Sequence, residues 1–191
     1  MKVIIKKTQR VLDDIFKVDR SVVQFEKFDG RLSRDVVRLN FVRGDAVAAL
    51  LINRSQQKVV LVKQFRFPVY TKQPEKSWLL EIVAGVIDDG ESPQETIIRE
   101  IAEETGYMVD QVQAIGFFYP SPGASNEIIY LYSAEVKAKQ QQNQGGGVAA
   151  EDEDIQVVEF SFDEIFSLLE SGEIVDGKTI IALQWLRANI T

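Results

Sequence analysis

Ser92 and Gly106 bracket the segment that most constrains how this chain can fold. Ser92 is a good helix N-cap, Pro93 suits the first helical position, and Glu95 completes an S-x-x-E capping box. Gly106 falls where a left-handed C-terminal cap belongs. Between them the spacing predicts a helix over 93–105. At about 100° per residue, Ile97, Ile98 and Ile101 share one arc, and Glu100, Glu103 and Glu104 share another. Such a helix has to bury its isoleucines against a second layer. Strand-like runs able to supply that layer lie at Ala46–Ile52, Lys58–Gln64, Trp78–Val83, Val112–Phe118, Glu127–Val136 and Ile155–Phe160. A short helix over Ser161–Ser171, with a second capping box at Ser161 and Glu164, stops at Gly172. A final helix runs over Thr179–Asn189. Strands and helices mixed in this order predict an α/β domain with a mixed sheet.

Two stretches stand apart. In residues 1–42, Val22–Phe28 and Val36–Phe41 read as a β-hairpin around Phe28-Asp29-Gly30-Arg31. A lone hairpin is at best marginally stable, so this arm should pack on the body or on a second copy, which predicts a homodimer. The expected division is therefore an arm over 1–42 and a catalytic domain over 43–191. The other stretch, Lys139 to Gly147, is Gln- and Gly-rich and reads as a flexible loop.

The chemistry is narrowed by what the chain lacks. Its 191 residues include no cysteine and no histidine. Disulfides, thiolate zinc sites, cysteine nucleophiles, histidine bases and Ser-His-Asp triads are all excluded. Catalysis has to use carboxylates, Lys, Arg, Tyr or Ser, or a hard metal ion held by oxygen. With 22 basic against 29 acidic residues, the net charge of −7 disfavours a nucleic-acid partner. The N-terminal residues lack the apolar core of a signal peptide, and no apolar run nears the roughly 20 residues of a membrane helix. A cytoplasmic protein with no membrane partner is expected.

Three carboxylates within one helical turn usually make a solvated acidic face. Here the surrounding residues decide otherwise. Gly85, Glu91 and Arg99-Glu100-Ile101-Ala102-Glu103-Glu104-Thr105-Gly106-Tyr107 fit G-x5-E-x7-R-E-U-x-E-E-x-G-U, U being bulky and apolar, with no departure at a fixed position. From average residue usage a chance match is on the order of one in ten million. The chain resembles a Nudix hydrolase, which implies an α/β/α sandwich over 43–191. Gly85 permits a turn that exposes carbonyls, Arg99 can bridge the neighbouring carboxylates, and Glu100, Glu103 and Glu104 offer oxygen ligands for Mg²⁺. The resemblance singles out Glu100 and Glu104 as ligands, with the Ala84 carbonyl. It also implies Mg²⁺ as cofactor, with Mn²⁺ a possible substitute, and cleavage of a nucleoside diphosphate linked to another group.

Further resemblances bear on the substrate. Tyr119-Pro120-Ser121-Pro122-Gly123 with Glu127 is similar to the loop of ADP-ribose pyrophosphatases. Gly145-Gly146-Gly147-Val148 leading into Glu151-Asp152-Glu153-Asp154 is similar both to that group and to the related GDP-mannose hydrolases. Arg66 in Gln64-Phe65-Arg66 matches an arginine that contacts substrate phosphates in these relatives, and Glu81 also matches their pattern. The resemblance implies catalytic residues Glu153, Glu151, Arg99 and Glu103, and substrate contacts from Arg66, Glu81, Pro122 and Phe28, the last by stacking on the base. Lacking a histidine, the chain needs a carboxylate to deprotonate the attacking water unless a metal suffices, and Glu153 is preferred to Glu151. The expected reaction is Mg²⁺-dependent hydrolysis of ADP-ribose to AMP and ribose 5-phosphate. The alternatives are a GDP-mannose hydrolase of the same family and a non-catalytic nucleotide-sugar sensor.

Overall fold

The structure is a computed structural model and describes residues 1–148 and 153–190. These form two compact units, one of Met1–Asp45 with Tyr119–Ile128, the other of Ala46–Phe118 with the chain from Ile129 on.

The first unit is a three-stranded antiparallel sheet, β1 (Val3–Asp13), β2 (Lys17–Phe25) and β3 (Val36–Val42), with β2 in the middle. The expected β2–β3 pairing is present, with Val23 opposite Val36 and Lys17 opposite Val42. β1 was not legible, because its side chains are nearly all exposed and carry no clean alternation. β2 also stops at Phe25, short of the expected Phe28. The turn at Gly30, with φ of +80° and its N–H donating to the Lys27 carbonyl, lies at the tip of a longer excursion. Tyr119–Ile128 is tied to β3 and the residues after it. Phe41 N–H donates to the Ala124 carbonyl, Ser125 Oγ to the Phe41 carbonyl, and Ile128 N–H to Asp45.

The second unit is built on β4 (Ala46–Asn53), β5 (Lys58–Phe65), β6 (Trp78–Glu81), β7 (Val83–Val86), β8 (Gln113–Phe118), β9 (Ile129–Glu135) and β10 (Ile155–Ser161). The sheet runs β10-β5-β4-β9-β8, with β6 paired to β5 and β7 to β4. Among the described residues of this sheet, only the β4–β9 pair is parallel. β4 is an unbroken apolar run because both of its faces are covered. Ala48, Leu50 and Ile52 face the helices α3 (Phe162–Ser171) and α4 (Gly177–Ala188) through Ile165, Leu183 and Leu186. Val47, Ala49 and Leu51 face α2 (Pro93–Thr105) through Ile97 and Ile101. The layers are α/β/α around a mixed sheet, as expected. A single-turn helix, α1 (Phe67–Tyr70), lies between β5 and β6.

Two expectations in this unit are corrected. The run Trp78–Val83 is not one strand. At Ile82 the chain passes from β5 to β4, and the Ile82 N–H donates to Thr179 Oγ1 at 2.9 Å in place of a ladder bond. The Gln/Gly stretch is not a free loop either. Gln142 N–H donates to the Gly106 carbonyl, Gly146 N–H to Glu104, Gly147 N–H to Glu103, and the Gln141 amide to Thr105. These bonds satisfy the carbonyls left orphaned at the end of α2. Glycine is needed for the close approach: at Gly145, a residue with φ of +66°, a Cβ would sit 2.2 Å from the Glu104 carbonyl oxygen. The composition that cannot build a core is suited to backbone docking.

Candidate active site

Helix α2 places the carboxylates. Its capping box is complete, with Ser92 Oγ accepting from Glu95 N–H and the Glu95 carboxylate accepting from Ser92, and Gly106 closes the helix at φ +72°. Ile97 and Ile101 are fully buried, which fixes the rotation of the helix about its axis. The glutamates then meet three different environments. Glu103 is half-buried at the rim, Glu100 lies deeper, and Glu104 is 4% exposed. Glu104 therefore does not belong to a solvated acidic face.

Arg99 gathers the outer carboxylates. Nη1 donates to Glu100 at 3.0 Å and to Glu103 at 2.9 Å, and Nη2 donates to Glu91 at 3.1 Å and Asp88 at 3.3 Å. Its guanidinium is held protonated even more firmly than usual, through Glu91 above all. Gly85 sits inside β7 with an ordinary φ, so a special turn is not the reason for glycine there. The Glu100 carboxylate lies against it, and a Cβ would come within 2.0 Å of Glu100 Oε1. Glu100 is thereby placed beside Ala84 and Gly85.

Glu104 Oε2 is the one buried side-chain polar atom without a hydrogen-bond partner among the described residues. Burial pushes the Glu104 carboxyl well above the usual range, and the charges of Glu100 and Glu153 push it further, against a smaller pull from Arg66. Glu100 is raised too, by burial first. An unpartnered oxygen among like charges is the setting that a divalent cation relieves. Among the described residues no three acidic side chains form a closed cage. Mg²⁺ keeps several waters and needs only one or two protein carboxylates, so the donor set fits it. Glu100 and Glu104, with the Ala84 carbonyl, could hold it.

Glu153 approaches this group from the glycine loop. Its Oε2 accepts from Val148 N–H at 3.1 Å, and a Cβ on Gly147 would lie 2.6 Å from the same oxygen. Glu151 lies outside the described residues. Arg66, at the end of β5, makes a two-bond pair with Glu81, Nε to Oε1 at 2.7 Å and Nη2 to Oε2 at 2.8 Å. Lys178, in the first turn of α4, donates to the same Glu81 Oε2 and to Asp176 at 3.0 Å. Sequence reading missed Lys178 and Asp176. Asp176 caps α4, and nothing local announces that Lys178 reaches a residue almost a hundred positions earlier. Pro122 and Phe28 belong to the other unit, Phe28 fully exposed at the arm's tip. An open cleft of about 850 Å³ along β10, lined by Lys63, Trp78, Asp154 and Glu159 among others, contains none of the α2 carboxylates and is not this centre.

These features group several carboxylates, one of them buried and unpartnered, towards the C-terminal end of a helix. A family model described as NUDIX domain matches residues 42–183, so the chain belongs to the Nudix family and is a Nudix hydrolase. It is 41% identical over 172 residues to a protein of Pectobacterium atrosepticum named GDP-mannose pyrophosphatase, covering 90% of this chain and 87% of the relative. A protein of the same name from Yersinia enterocolitica is 43% identical over 157 residues, 82% of this chain and 81% of the relative. Another, from Escherichia coli, is 37% identical over 177 residues, 93% and 91% of the two chains. Among solved structures, one titled crystal structure of ADP compounds hydrolase superposes with a TM-score of 0.73 at 21% identity, over 98% of this chain and 94% of that one, a likeness of fold.

Proposed function

We propose that the chain hydrolyses the pyrophosphate bond of a nucleoside diphosphate sugar, with GDP-mannose preferred and GMP and mannose 1-phosphate as products. The observation that carries the reaction is the buried, unpartnered Glu104 carboxylate facing Glu100 and Glu153. Preference for GDP-mannose over the ADP-ribose suggested by the proline loop is supported by relatives of that name at about 40% identity across most of the chain. Bound Mg²⁺, or Mn²⁺ in its place, supplies charge neutralisation at the diphosphate and acidifies water. Glu100 and Glu104, with the Ala84 carbonyl, hold it. Arg99 bridges Glu100 and Glu103 and keeps them oriented. Arg66 meets a phosphate oxygen, and Glu153, or Glu151, takes the proton of the attacking water. Water oxygen bonds to one phosphorus as the bridging P–O bond breaks, and the second phosphate leaves with that oxygen. The arm, with Val3, Ile5, Val11, Leu12 and Leu39 exposed, joins two copies, and light scattering at micromolar concentration tests this. Phe28 and Pro122 contribute to base binding.

The test is product analysis with Mg²⁺ on GDP-mannose and ADP-ribose in parallel. GMP and mannose 1-phosphate should form with the higher kcat/KM. Faster release of AMP and ribose 5-phosphate would move the assignment to ADP-ribose, and binding without turnover of either would make the protein a sensor.

A further inference from the structure

The pair Arg66–Glu81 does not stand alone, and its third member has a cost that needs explaining. Lys178 occupies the second position of α4, after the N-cap Asp176 and Gly177. A cation in the first turn of a helix opposes the macrodipole and is disfavoured there. The side chain is also only 10% exposed, so its ammonium has left most of its water. Local rules broken together in this way mark positions held for another purpose.

We infer that Lys178 is a positioning residue, which fixes the substrate-facing Arg66 by holding the far side of Glu81. The proposal rests on the reading of Arg66 as a phosphate contact. Glu81 is 2% exposed, and both its oxygens are engaged, Oε1 by Arg66 and Oε2 by Arg66 and Lys178. Three of the roughly four acceptor directions of this carboxylate are taken by the two cations, and at this depth its part is to orient Arg66. Arg66 spends Nε and Nη2 on this pair, while no bond from Nη1 occurs among the described residues. One edge of the guanidinium is thus clamped and the other remains for an anion. A two-bond clamp sets the guanidinium plane only if Glu81 itself cannot rotate. Lys178 stops that rotation, and its own place is set by Asp176 and by Thr179. Asp176 accepts from Lys178 at 3.0 Å, from Thr179 N–H at 3.0 Å and from Thr179 Oγ1 at 2.6 Å. Thr179 Oγ1 in turn accepts from Ile82 N–H, next to Glu81 in the chain and two residues before Ala84. The start of α4 is therefore bonded to the residue that joins β6, which ends at Glu81, to β7, which carries Ala84. Charge supports the same role. Two carboxylates and two cations balance in the cluster; without Lys178 the clamp would hold a surplus negative charge beside the approach of a diphosphate.

The test uses the full-length protein and GDP-mannose with Mg²⁺, comparing Lys178→Met, Glu81→Gln, Arg66→Ala and the double variant Lys178→Met/Glu81→Gln. Lys178→Met should raise KM by roughly 10- to 100-fold, the range for groups that orient a binding residue, with the smaller change in kcat. Because Lys178 acts through Glu81, the double variant should be no worse than Glu81→Gln alone. A KM within twofold of wild type in folded Lys178→Met, while Arg66→Ala raises it, overturns the proposal. So does full additivity in the double variant, which would mean that Lys178 touches substrate itself. An unchanged KM in Arg66→Ala removes the premise and is told apart by that variant alone. Failure of wild type to turn over GDP-mannose is a separate result, bearing on the proposed function. If Lys178→Met does not fold by circular dichroism, Lys178→Gln, which keeps a donor and loses the charge, is read by the same outcomes.

Discussion

Glu81 and Glu104 are both buried carboxylates of the catalytic unit, at 2% and 4% exposure, and they have opposite surroundings. Burial alone would push both up. At Glu81 it is outweighed by Arg66 and Lys178, so the carboxyl ends below its ordinary range. At Glu104 burial is reinforced by Glu100 and Glu153, and the carboxyl ends well above it. Equal depth thus produces a finished ion pair in one place and an unmet demand for positive charge in the other. A protein keeps the second kind where a ligand will supply the missing charge. In the proposed function Glu81 would organise the site from within, and Glu104 would be the carboxylate that a cation satisfies.

The largest break in this contrast is to remove the demand. Glu104→Gln preserves volume but replaces a carboxylate by a poorer ligand for a hard ion. If several kcal/mol of transition-state stabilisation depend on that ion, kcat should fall by about 10³-fold or more, and EDTA should have the same effect on wild type. Activity within tenfold of wild type at saturating Mg²⁺ would remove Glu104 from the metal site.

Glu153 sharpens the same contrast from the loop side. As the base it should account for at least ~10²-fold in kcat, so Glu153→Gln should lose that much while Mg²⁺ affinity and Tm change little. A pH–rate profile over pH 6–9 with near-normal kcat would assign proton removal elsewhere, to Glu151 or to water acidified by the metal.

The legible and illegible parts of the site divide along physical lines. The helix Pro93–Thr105 was read to the residue, since its cap, its proline and its closing glycine are all local signals. The grouping of Glu100, Glu103 and Glu104 on one arc followed from the period. Their unequal burial did not, because it depends on the strand and loop laid over each. The glycine loop was misread for a related reason: low complexity signals mobility when nothing receives the backbone, and here the open end of α2 receives it. β1 left no pattern because neither of its faces is buried within one copy. Lys178 was invisible because an ion pair across 97 positions is a property of the fold.

The smallest expected effects are on stability, and their signs differ between the two carboxylates. For Glu81 the folded value is depressed, so its contribution is present above the unfolded value near 4.3 and is lost as pH falls through the folded one. The acid limb of wild type should therefore be steeper than that of Glu81→Gln, in which this proton-linked loss is absent. For Glu104 the folded value is raised, so its charge costs stability in full above that raised value, and the cost shrinks as pH falls through it and is gone below the unfolded value. In EDTA at pH 8, Glu104→Gln should melt higher than wild type, because an amide needs no counter-charge. If relief of one buried, unmatched group amounts to about 1 kcal/mol, the rise is roughly 2–4 °C for a chain of this size. Added Mg²⁺ should raise the Tm of wild type and move that of Glu104→Gln much less, closing or reversing the gap. A variant that melts lower than wild type in EDTA would mean that Glu104 finds its positive partner within the protein, and the contrast with Glu81 would fail.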